Sequence, residues 1–174
     1  MREILRYGAV LALICITAAF SLSMVNSFTK AKIIAQANAE EQASLKEVLP
    51  QAERFEAVKS ASEVIYYKAY DNKGNFIGVA FKASGEGYSS TIDTMVGMTR
   101  EGTINAIKII SQNETPGLGT RVAEDAFASR FAQKKLSMVQ EIEAITGASI
   151  SSRAVTESVA KKAAEIVEII KNER

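Results

Sequence analysis

Thr146-Gly147-Ala148-Ser149 places two hydroxyls and a glycine directly ahead of a long amphipathic run, with an acid, Glu143, just upstream. In that run Val155, Val159, Ala163, Ile166, Val167 and Ile170 recur at three- and four-residue steps, which predicts a helix beginning at the serines. The mouth of a helix offers unpaired backbone N–H groups and the positive end of its dipole, and a glycine lets a bulky group approach the main chain. A hydroxyl at such a place could bind an anion or be bonded to one, a phosphate above all. The same residues also read as an ordinary N-cap, the commoner use of such a string. On that second reading Thr146 and the serines cap the helix and do nothing more.

A second segment, Glu114-Thr115-Pro116-Gly117-Leu118-Gly119, lies about thirty residues before Ser149. Two close glycines after a proline make a rigid turn in which backbone amides can be exposed. Gly85-Glu86-Gly87 interrupts the chain once more and leaves Tyr88 in a turn, where its ring is read either as a platform for a planar ligand or as a plain loop residue.

The composition removes most other chemistry. The chain of 174 residues contains no histidine, so histidine bases, Ser-His-Asp and Cys-His nucleophiles and the commonest zinc and copper ligand are all absent. A single cysteine, Cys15, rules out a disulfide, a CxxC redox pair or an iron–sulfur cluster within one chain. No catalytic side chain and no metal site are expected, and any redox chemistry must ride on an organic cofactor. A formal net charge of +1 gives no reason to expect nucleic acid. A hydrolase built on Ser149 would need a Ser-Lys arrangement, and Lys161 and Lys162 lie more than two helical turns away.

The elements that must position these motifs follow from periodicity. From about Tyr7 to Val25 there is no charged residue, a length close to one bilayer span, and residues 1–26 are read as an N-terminal segment and a membrane anchor, whose orientation the flanking Arg2 and Arg6 against Lys30 and Lys32 do not set. A cleavable signal peptide competes, with Ser21-Leu22-Ser23 as a small-x-small site, but the apolar run is longer than the usual signal core. Residues 27–50, rich in Ala, Glu, Gln and Lys, predict a helical stalk that Pro50 stops. Within 51–174, Val64 to Tyr70 and Phe76 to Lys82 around Asp71-Asn72-Lys73-Gly74-Asn75 predict one hairpin, and Ser90 to Thr99 with Ile104 to Ser111 a second. Val122, Ala126, Phe127 and Phe131 predict a helix over Val122 to Lys134. Strands followed by helices, without strict alternation, give an α+β domain with a mainly antiparallel sheet packed by helices.

In this order and separation, the segments at Glu114 to Gly119 and Glu143 to Ser149 resemble the FMN-binding domain shared by the G subunit of the Rnf complex and the C subunit of the sodium-pumping NADH:quinone reductase. The resemblance implies that the Ser149 hydroxyl is esterified to the phosphate of FMN, with Thr146, Gly147 and Ala148 completing the motif. It also implies that the loop Glu114, Thr115, Pro116, Gly117, Leu118 and Gly119 packs near the flavin, with Thr115 or backbone amides donating hydrogen bonds and Tyr88 a candidate to stack on the ring. Three positions depart from the family pattern: Ser149 stands where Thr is usual, Glu143 where Asp is usual, and Ser90 where Gly is common. For Glu143 two readings stand, a role in metal binding or transferase recognition and a solvated carboxylate near a helix start.

The function the resemblance implies is an electron-carrier subunit of a membrane-bound, ion-translocating oxidoreductase, of Rnf type (ferredoxin:NAD) by the shortness of the chain. The expected partners are the other membrane subunits and, during maturation, a magnesium-dependent flavin transferase that uses FAD. The expected location is the cell (inner) membrane, single-pass, with the flavin domain on the periplasmic or extracellular face. The alternatives are the equivalent subunit of the quinone reductase and an anchored binding or assembly module without a cofactor.

Overall fold

The computed structural model describes residues 2–60 and 63–172. Helix α1 (Arg2–Val48) runs unbroken until Leu49 and Pro50 leave the helix. The chain divides after Glu40 into two compact units. In the first part, residues 2–40 are helical throughout and include a stretch long and apolar enough to cross a membrane. The hydroxyls of this stretch are satisfied by the helix itself: Thr17 donates to the carbonyls of Leu13 and Ile14 at 3.0 and 2.9 Å, and Ser21 to that of Thr17 at 2.8 Å. Such back-bonding lets polar side chains sit in a hydrocarbon environment without a neighbouring helix.

The second part begins at Glu41 and is a six-stranded antiparallel meander in the order β1 (Arg54–Ser60), β2 (Glu63–Tyr70), β3 (Phe76–Glu86), β4 (Thr91–Thr99), β5 (Thr103–Ser111) and β6 (Lys134–Lys135). Both expected hairpins form, and the alternation in β4 shows why the sheet has two covered faces. Ile92, Val96 and Met98 point into one core, while Met95 points into the other. The larger core is closed by α3 (Ser149–Asn172), whose Val155, Val159, Ala163 and Ile166 form the apolar stripe legible in the sequence. The smaller core is closed by Leu45, Val48 and Leu49 against Tyr67, Ala80 and Met95.

Polar contacts fasten this second cover. The Asn105 amide donates to the Val48 carbonyl at 2.7 Å, Lys108 pairs with Glu47 at 2.9 Å, and the Tyr67 hydroxyl donates to Glu41 at 2.7 Å. Burial, and then the Glu41 carboxylate, hold the Tyr67 phenol protonated well above its ordinary range. The C-terminal turns of α1 are therefore part of the domain core.

Two differences from the sequence reading stand out. The helix expected over Val122 to Lys134 is a series of short turns, of which only α2 (Asp125–Ala128) is α-helical. Glu124 is extended and Gln133 has φ 59°, so Val122, Phe127 and Phe131 enter the core one at a time instead of along one helical face. Tertiary burial of three anchors overrides a weak local periodicity, and Ala126, counted with them, is exposed. The second difference is β1, unforeseen because its sequence RFEAVKS is charged and shows little alternation, as suits an edge strand.

Candidate functional site

The start of α3 is made by the turn at Gly147, whose φ of 84° lies in the left-handed region that a glycine adopts freely. The N–H of Ala148 closes that turn onto the Ile145 carbonyl at 2.9 Å, and Ser152 N–H returns to the Ala148 carbonyl at 2.9 Å. Ala148 therefore holds the cap position with no side-chain oxygen to offer. The N–H groups of Ser149, Ile150 and Ser151 are left without an intrahelical acceptor. The capping role considered for Thr146 is not seen: its side chain is exposed, and its carbonyl takes a hydrogen bond from Arg121 at 3.3 Å. Ser152 instead braces the turn from inside, accepting the N–H of Ile145 at 3.0 Å.

Against this helix mouth lie the turn carrying Tyr88 and the loop Glu114 to Gly119. Together they enclose an open cleft of about 510 Å³, with Ser149, Gly147 and Ala148 on one side and Thr115, Leu118 and Gly119 facing them. Outside α1, three large apolar side chains are at least half exposed among the described residues: Tyr88 at 71%, Leu118 at 50% and Ile150 at 55%. All three line this cleft. An apolar lip around a helix mouth suits a ligand with a flat, greasy part and an anionic end.

Glu114 turns its side chain from the loop into the protein. Its side chain is only 4% exposed, and its carboxylate takes the N–H groups of Tyr88, Ser89 and Ser90 at 3.0, 2.9 and 2.9 Å. The hydroxyls of Ser90, at 3.3 Å, and Ser151 also donate to it. Burial by itself would raise its pKa; the hydrogen bonds from Ser151, Ser89, Tyr88 and Ser90 outweigh that and hold it at about 2. Two of the loop's amides are occupied as well: Gly117 N–H donates to the Thr120 hydroxyl at 3.0 Å and Leu118 N–H to the Thr115 carbonyl at 3.2 Å. The Thr115 hydroxyl, exposed and 3.4 Å from that of Ser89, is a polar group that the loop presents at the cleft.

The other candidates divide. Pro116 and Gly117 form the exposed tip of the loop and Thr146 lies behind the Gly147 turn, so none of the three lines the cleft. Glu143 is exposed and borders a separate hollow beside Arg130 and Lys134. Its carbonyl accepts from Arg130 at 2.7 Å, and no cluster of three or more potential metal ligands occurs among the described residues. The sequence reading missed Ile150 and Ser151, which both line the cleft. An isoleucine at a helix's second position, off the apolar stripe, was the available signal.

These residues fit FMN. Ser149 is exposed, its hydroxyl makes no hydrogen bond among the described residues, and it lies beside the free N–H groups that would take a phosphate. A side chain built at Gly147 would meet only a Leu118 methyl, at 3.6 Å, so the approach over that turn is open.

Residues 87–164 match the family model described as the FMN-binding domain, and residues 1–48 match that described as the RnfG N-terminal region. The chain is 32% identical to the G subunit of the Na(+)-translocating ferredoxin:NAD(+) oxidoreductase complex of Acetobacterium woodii, over 91% of this chain and 89% of that one. It is 37% identical to the G subunit of the proton-translocating ferredoxin:NAD(+) oxidoreductase complex of Clostridium ljungdahlii, over 67% and 65% of the two chains. The crystal structure of Shewanella oneidensis NqrC is similar with a TM-score of 0.49 at 20% identity, covering 65% of this chain and 66% of that one. With a relative 32% identical aligned over 91% of its length, the chain belongs to the RnfG family, the G subunits of ion-translocating oxidoreductase complexes.

Proposed function

We propose that this chain carries FMN as a phosphoester on Ser149 and relays electrons within a membrane-bound, ion-translocating complex. The observation that supports this most is the free Ser149 hydroxyl at the mouth of α3, inside a cleft that collects the three large apolar side chains left half-exposed outside α1. When bound, the isoalloxazine ring supplies the electron transfer, so the absence of histidine is no obstacle. The N–H groups of Ser149, Ile150 and Ser151 would hold the phosphate, and Leu118, Ile150 and Tyr88 would line the place of the ring and exclude water from it.

Attachment needs an external enzyme. In that reaction the Ser149 oxygen attacks the FMN-side phosphorus of FAD, the pyrophosphate bond breaks, AMP leaves, and the hydroxyl proton passes to a base. The chain has no histidine to act as that base, which fits a separate flavin transferase.

The relatives named for ferredoxin:NAD(+) complexes support the same overall reaction here, with this subunit having no activity of its own. Those relatives are named for different coupling ions, and the run from Tyr7 to Val25 holds no Asp, Glu, Lys, Arg or His to line an ion path, so coupling belongs to other subunits. The domain is read as lying outside the cytoplasm, where a covalent link keeps the flavin from being lost by dilution.

Intact mass under denaturing conditions, on protein from a host with an active transferase, tests the reading. A gain of FMN less one water on the Ser149 peptide is expected; Ser149→Ala abolishes it and Ser149→Thr keeps it. Flavin fluorescence persisting on the denatured Ala variant would remove Ser149 as the attachment point. An unmodified yellow protein would mean non-covalent flavin, and a colourless one an anchored assembly module.

A further inference from the structure

The cleft's walls meet on one group. Glu114 receives the turn of Tyr88, Ser89 and Ser90 through three N–H groups and the first turn of α3 through the Ser151 hydroxyl, two residues past Ser149. The packing around it is tight enough to dictate its neighbours. A side chain built at Gly87 would come within 2.6 Å of one carboxylate oxygen, and one built at Gly119 within 2.7 Å of the other. Gly87 and Gly119 are thus accounted for by the carboxylate between them.

Every donor to Glu114 is neutral. No lysine or arginine pairs with it among the described residues, so its negative charge is stabilised but not cancelled. A buried charge acts through a medium of low polarity and is felt by a group in the adjoining cleft more strongly than a surface charge. Reduced flavin carries more negative charge than oxidised flavin, so a fixed anion beside it opposes reduction.

We propose that Glu114 is a positioning residue for the flavin: its carboxylate sets the spacing of the cleft walls, and its uncancelled charge lowers the reduction potential of the bound ring. This rests on the reading that the cleft holds FMN. It makes Glu114 a determinant of where this subunit sits in the electron path, and assigns Ser151 the task of moderating that charge.

Two variants of the full chain, flavinylated by a co-expressed transferase, separate charge from packing. Glu114→Gln removes the charge, and the flavin midpoint potential is expected to rise. Ser151→Ala keeps the charge and removes a donor that offsets it, and the potential is expected to fall. Both variants loosen the walls, so iodide quenches their flavin fluorescence more than that of the wild type. Loosening alone would move both potentials the same way, and that result, or two unmoved potentials, overturns the charge role. Unchanged quenching in both overturns the spacing role. If Glu114→Gln does not fold, Ser151→Ala decides alone, since a raised or unmoved potential contradicts the proposal. Wild-type protein with no flavin defeats the FMN reading and this inference together, whereas flavinylated wild type with unresponsive variants defeats only the inference.

Discussion

On one face of the sheet Leu45, Val48 and Leu49 lie against Tyr67, Ala80 and Met95, and the three covering side chains are at most 1% exposed. At the rim of the other layer, Tyr88, Leu118 and Ile150 stand half or more in solvent around a single buried carboxylate. The first region is complete within the chain: apolar side chains are sealed, and its polar contacts are paired. In the second, apolar surface stays exposed while the buried carboxylate is surrounded by donors, which is the reverse of what folding alone would select. Sealed leucines on one face, set against an exposed Tyr88, Leu118 and Ile150 at the other, are what the flavin cleft proposed above requires.

The comparison can be broken from either side, and the largest effect belongs to the sealed face. Leu49→Ala should cost about 2–5 kcal/mol, because the cavity it leaves lies under a helix end held on its neighbours. Thermal or urea unfolding reads this, and flavin attachment of the folded fraction should be unchanged. A loss within about 0.5 kcal/mol would mean the cover is not part of the cooperative unit.

Next comes the carboxylate. Glu114 has its folded pKa lowered from 4.5 to about 2, so its contribution to stability is fully present above pH about 4.5 and is lost as pH falls towards 2. The size implied is about 3 kcal/mol. The stability difference between wild type and Glu114→Gln should therefore be constant near neutral pH and shrink across that acid window. A difference independent of pH over the window would contradict the hydrogen-bonded, ionised carboxylate.

Smaller effects are expected at the helix mouth. Gly147→Ala meets no steric obstacle nearer than 3.6 Å, so its cost is the conformational one of a left-handed backbone, about 1–2 kcal/mol. Its melting temperature should fall slightly while attached flavin remains. Leu118→Ser, at a half-exposed lip, should leave stability within about 0.5 kcal/mol of wild type yet increase iodide quenching of the flavin. A clear stability loss there would mean the lip belongs to the core.

Much of the architecture was legible because it depends on short-range patterns. The β-rich runs of β3 and β4, the turn residues that join the strands, and the stripe of Val155, Val159, Ala163 and Ile166 are properties of neighbouring residues, and both hairpins and α3 follow from them. The motif serine was legible for the same reason, since a helix start is signalled within a few positions. The segment from Val122 to Phe131 was not, because its three anchors are held by the sheet and not by each other. The absence of a side-chain cap on α3 was likewise invisible, since a string of hydroxyls fits capping whether or not it caps.

By itself, the sequence determined which residues can do chemistry here: no histidine, one cysteine in an apolar helix, and a serine at a helix start behind a glycine. Tertiary structure alone decided the direction in which Glu114 faces. Its partners Tyr88, Ser89 and Ser90 lie 24 to 26 residues away, and Ser151 lies 37 away. A carboxylate next to a proline turn can face water or protein at similar local cost. Only the closure of those distant segments around it supplies enough donors to hold the charge inside.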